Sequence, residues 1–231
     1  MGTLRTAIMT WTGLGLIALN CGAFLISCAP VTTADGTPRI HFNMSRDDAR
    51  LSEAVRLWSE ESGATGDAFT AGKAAYDIAD VTNDPKWARV ASRRLAEARK
   101  ALPGFAQATA WQGAAQALIA RDYPLRGAWQ ALPGPGFVRI YHVKRAEALL
   151  NEAVAEAPGD PVVRLLRAAT ISSLPRALTE RDTAMQDFAL LAQWEADPDS
   201  NPGYAAILAS KDWRRAFRDA HVQAENALGD P

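Results

Sequence analysis

Two stretches decide the fold: ASRRLAEARKALP at 91–103 and AEALLNEAVAEAP at 146–158. Each carries a small residue, a large apolar residue, a second small residue and a proline at the same offsets. These are Ala91, Leu95, Ala98 and Pro103 in the first, and Ala146, Leu150, Ala153 and Pro158 in the second. Steps of four and three return to one face of an α-helix, so each stretch predicts a helix with an alanine–leucine–alanine seam. Alanine on the seam lets a partner helix approach closely, the leucine fills the space between, and proline stops the helix so the chain can turn.

Outward from these seams the same grammar continues. Asp84 before Pro85, Asp160 before Pro161, Asp197 before Pro198 and Asn201 before Pro202 each pair a capping side chain with a proline at the first helical position, where a missing N–H costs nothing. Helices are expected over about 45–62, 68–81, 87–102, 105–121, 140–157, 161–173, 180–194, 203–208 and 212–228, with ends uncertain by roughly 2–4 residues. Alternating β-branched runs are scarce, so the fold class is all-α. The 231 residues suffice for one domain or one short solenoid.

The paired seams resemble the second helix of a tetratricopeptide repeat, which holds small, large, small and proline at these relative positions. The resemblance implies antiparallel helix pairs stacked as a short α-solenoid, with Gly113 and Ala168 as the small residues of the following first helices. Ala184 and Phe188 repeat the small–large step. The family's tryptophan and tyrosine positions fall instead on Thr109 and Gln116, and then on Arg164 and Ile171. Arg164, on the face away from the seam, is expected to be dispensable for stability. The seams begin 55 residues apart, where a continuous array repeats every 34 or so, so an insertion must interrupt it.

Residues 122–139 are read as that insertion, a loop rich in proline and glycine within the helical domain 45–231. Its aromatic residues Tyr123, Trp129 and Phe137 are the candidate partner-contacting side chains. Packing between helix pairs is the alternative role for Trp129 and Phe137.

The N-terminus addresses location. After Arg5, the stretch from Thr6 to Ser27 is uncharged and mostly apolar, the pattern of an export or anchoring segment. Its end, Leu25-Ile26-Ser27-Cys28, resembles the lipobox of bacterial lipoproteins. The resemblance implies a signal peptide over 1–27, diacylation of Cys28 and cleavage before it; an uncleaved membrane helix is the alternative. Residues 28–44 then read as a flexible tether. Ala29 is not the aspartate that holds many lipoproteins at the inner membrane, so a periplasm-facing position at the outer membrane of the cell envelope is expected.

Charge and motif content narrow the function. Lys plus Arg (25) nearly balances Asp plus Glu (26), which lacks the footprint of a nucleic-acid binder. The two cysteines, Cys21 and Cys28, leave no thiol pair in the domain, and His41, His142 and His221 have no metal-ligand spacing. No metal and no cofactor are expected. Phosphate loops, nucleophile elbows and HExxH motifs are missing.

The expected function is a non-catalytic binding or scaffold lipoprotein. It would receive an unidentified protein or peptide of the cell envelope in a groove between stacked helices. Two alternatives stand beside it. One is an accessory resembling the T-components of periplasmic solute transporters. The other is a peptidoglycan enzyme resembling lytic transglycosylases, suggested by Glu61-Ser62 alone.

Overall fold

The computed structural model describes residues 48–123 and 133–208, together with Arg214, residues 217–222, Ala224 and Glu225. The expected lipobox, Cys28, the tether and Trp129 lie outside these residues. Among the described residues the regular structure is entirely helical, with no strand.

Helix α1 spans Asp48–Glu61, α2 Ala68–Thr82, α3 Pro85–Ala101 and α4 Ala106–Asp122. Helix α5 spans Pro133–Glu156, α6 Pro161–Ser173, α7 Arg181–Ala196 and α8 Pro202–Leu208, with 3-10 turns at Arg176–Leu178 and Pro198–Ser200. Local chemistry sets several of these ends. Asp67 accepts from the Phe69 and Thr70 amides to cap α2, Asp84 accepts from the Lys86 amide, and Asp160 accepts from the Val162 and Val163 amides. Each satisfies amides that have no partner within their own helix. Asn83 closes α2 in the left-handed region, and Gly104, at φ +80°, turns the chain from α3 into α4.

One boundary departs from the sequence reading. The loop expected over 122–139 is shorter, because α5 begins at Pro133 and carries Phe137 on its second turn. The first turn of a helix needs no backbone N–H donors, so Pro133 and Pro135 start a helix where proline counting suggested a break. Asp122 likewise belongs to the end of α4.

Consecutive helices from α1 to α7 pack on one another, and α4 also touches α2 and α6. Two close approaches occur where glycine faces leucine. A Cβ on Gly72 of α2 would lie 2.6 Å from Leu95 Cγ of α3, and one on Gly113 of α4 would lie 2.8 Å from Leu150 Cγ and 3.1 Å from the Ala146 carbonyl oxygen of α5. In the α6/α7 pair, Ala168, Ala184 and Phe188 are buried. Leu95 and Leu150 are fully buried, each contributing about 1.5–3 kcal/mol by area.

Two ionic clusters also link the helices. Arg50 of α1 donates to Asp77 and, at 2.9 Å, to Asp80 of α2, while Arg121 of α4 donates to the other Asp80 oxygen at 2.7 Å. Asp187 of α7 is fully buried between Arg164 at 2.7 Å and Arg167 at 2.6 Å, both on α6. Arg164 is therefore not a dispensable surface residue. Its partner lies 23 residues away on the next helix, beyond the reach of a one-helix pattern.

A candidate binding cleft between α3 and α5

Helix α4 is the centre of the packing. Thirteen of its 17 residues are buried and none is exposed, because α2, α3, α5 and α6 surround it. Seven of its 17 residues are alanine, which fits a helix enclosed on all sides. Among its polar side chains Thr109, Gln112 and Gln116 are spaced three and four apart and so lie on one face. These include the two positions where the tetratricopeptide pattern would carry tryptophan and tyrosine.

Above this polar stripe a cleft of about 420 Å³ opens, lined by Ala96, Arg99 and Lys100 of α3, by Thr109 and Gln112 of α4, and by Arg145 and Glu156 of α5. Pro103 and Gly104 of the α3–α4 turn border it. The volume lies in the range of small-ligand sites.

Several of the polar groups are already engaged. Arg99 donates to Gln112 Oε1 at 2.8 Å and to Glu152 at 2.6 Å, so it ties α3 to both α4 and α5. Thr109 Oγ1 donates to Glu156 at 3.2 Å. One turn further along α4, Gln116 Nε2 donates to Ser92 Oγ at 2.7 Å, and Gln116 Oε1 lies 2.7 Å from His142 Nδ1. Since the amide nitrogen is spent on Ser92, the amide oxygen must accept, and Nδ1 carries the proton in neutral His142. Burial, helped by the positive charge of Arg89, lowers the His142 pKa below its usual 6.5.

Other groups are unengaged. Lys100 and Arg145 make no ion pair or hydrogen bond with any described residue, and both are exposed. Gln112 is only 8% exposed, yet its amide nitrogen has no partner among the described residues. The lining carries three cations against one carboxylate, Glu156. Such an arrangement can attract an anion by charge and by directed donors. No cluster of three or more metal-ligating side chains occurs among the described residues.

The residues singled out from sequence are distributed across the fold. Ala91, Leu95 and Ala98 lie buried on α3, and Ala146, Leu150 and Ala153 lie buried on α5. None of these six lines the cleft, although they lie on the two helices that flank it; Pro103 borders it. Tyr123 follows the end of α4 and is half-buried. Phe137 is 62% exposed and Tyr141, one turn on, is 63% exposed, its ring edge-on to His142 at 5.3 Å. Neither Tyr123 nor Phe137 lines the cleft. Glu61 accepts the Asp67 amide at 2.7 Å and so bridges the turn between α1 and α2.

Sequence reading missed Gln112, Lys100 and Arg145. A signal was present in the polar 109/112/116 spacing on an otherwise alanine-rich helix. The cations carried none, because they come together only once α3 and α5 flank α4.

No protein-family model, curated protein or solved structure matches the chain. No helix among the described residues is long and apolar enough to cross a membrane.

Proposed function

We propose that this chain is a membrane-tethered, extracytoplasmic binding lipoprotein. Its stacked helix pairs form a short tetratricopeptide-like solenoid that engages a protein or peptide of the cell envelope, without catalysis. The cleft between α3 and α5 carries the reading: it is a concavity with unengaged donors, Lys100, Arg145 and the Gln112 amide, over the buried helix α4. The glycine–leucine contacts at Gly72/Leu95 and Gly113/Leu150 support the repeat-like stacking. The Leu25-Ile26-Ser27-Cys28 sequence supports the lipid tether and, with Ala29, an outer-membrane position facing the periplasm.

A photoreactive amino acid placed at Ala96, on the cleft wall, tests the binding role in cells. One discrete crosslinked partner, lost when the probe is moved to Glu53 on α1, supports it. A crosslinking pattern that does not depend on probe position contradicts it.

A second reading, an accessory to a periplasmic solute transporter, is favoured by the cationic lining, which suits a small organic acid better than a neutral surface would. Dependence of solute uptake on the gene would select it. The enzyme reading rests on Glu61, and peptidoglycan cleavage abolished by Glu61→Gln would revive it.

A further inference from the structure

From the same cleft, and resting on the binding reading above, we infer that the ligand is recognised through carboxylates, with two separated negative charges met by Lys100 and Arg145. These cations rise from opposite walls, Lys100 from the last turn of α3 and Arg145 from the middle of α5. Neither has a carboxylate partner among the described residues, although Arg99 and Arg94 on the same α3 both do. Between them lies Gln112, more than nine-tenths buried, with Oε1 taken by Arg99 and the amide nitrogen left to donate into the cleft.

The Gln112 amide nitrogen is not one of the fully buried polar atoms without a partner, so it reaches the solvent of the cleft and can exchange water for a bound acceptor. A carboxylate fits all three groups: its oxygens accept from the amide and from an ammonium or guanidinium in charge-assisted bonds. The carboxylates of Glu152 and Glu156 at the α5 side disfavour a compact, highly charged group such as phosphate. They leave room for charges spread along a chain. A free dicarboxylic acid and an acidic peptide segment share this chemistry.

Calorimetric titration of the full chain in detergent, with succinate and separately with a short peptide ending in two glutamates, tests the inference. Saturable binding of either probe is expected, weakened at high salt. Charge reversal at Lys100→Glu or Arg145→Glu should weaken it by about ten-fold or more, the loss of one charge-assisted bond. Lys100→Arg should retain it. Both side chains are exposed, so unchanged melting curves separate lost binding from lost folding. Succinate binding identifies a free acid, and binding of the peptide alone identifies a chain segment. Binding of neither probe, or binding that survives both reversals, overturns the inference. If the reversal variants still crosslink one discrete partner from Ala96, the binding reading stands and only the carboxylate chemistry falls.

Discussion

Gly113 on α4 meets Leu150 on α5 so closely that a single added methyl would sit 2.8 Å from Leu150 Cγ and 3.1 Å from the Ala146 carbonyl. The leucine tip could rotate away. The carbonyl cannot, because it belongs to the helix backbone, so the two helices would have to separate.

Gly113→Ala is therefore expected to destabilise the protein. Overpacking costs about 1–3 kcal/mol, and the helix-propensity gain of alanine over glycine returns only about 1 kcal/mol, for a net loss of up to about 2 kcal/mol. At Gly63 nothing lies within 4 Å of an added Cβ, so Gly63→Ala should be neutral or stabilising by about 0.4–1 kcal/mol. Urea melts of both variants check the contrast.

Leu150→Ala removes the other side of the same contact. Its side chain is fully buried, and the glycine opposite has no side chain with which to fill the space. The loss should reach about 2–5 kcal/mol, measured by chemical denaturation.

Asp187 is fully buried and held by two arginines whose side chains keep 17% and 11% exposure. Asp187→Ala leaves Arg164 and Arg167 facing each other without a counter-charge, at an expected cost of up to about 3 kcal/mol, below the full buried-pair penalty because both arginines reach solvent. Arg164→Ala should cost less, because Arg167 still donates two bonds to the carboxylate. Equal and negligible losses in both variants would contradict the buried pairing.

His142 makes stability depend on pH. Its folded-state pKa lies below the unfolded value of about 6.5, so the unfolded chain binds the proton more readily. The stabilisation is full above about pH 6.5 and is lost as pH falls through the lower folded-state pKa. Thermal melts from about pH 7.5 down to 5.5 should show a smaller drop in Tm for His142→Gln than for the parent. A drop of the same size would remove His142 as the cause.

Much of the helical layout was legible because its signals are local. The Asp84–Pro85 and Asp160–Pro161 caps act within one turn, and the seams at Ala91/Leu95 and Ala146/Leu150 are helical faces that one chain segment displays by itself. What stayed hidden is non-local. Arg164 read as surface because Asp187 comes from another helix, and Lys100 and Arg145 carried no sequence signal because they come together only where α3 and α5 flank the polar stripe of α4. The start of α5 at Pro133 was obscured for a different reason: proline and glycine mark loops by composition, yet the first helical turn tolerates both.

The intact mass of the protein purified from membranes tests the tethered-binding account most directly. The account predicts a chain that begins at Cys28 and carries the added mass of acyl groups, with Cys28→Ser yielding only unlipidated, uncleaved precursor. A parent protein that retains Met1 to Ser27, or that begins at an unmodified Cys28, would contradict it.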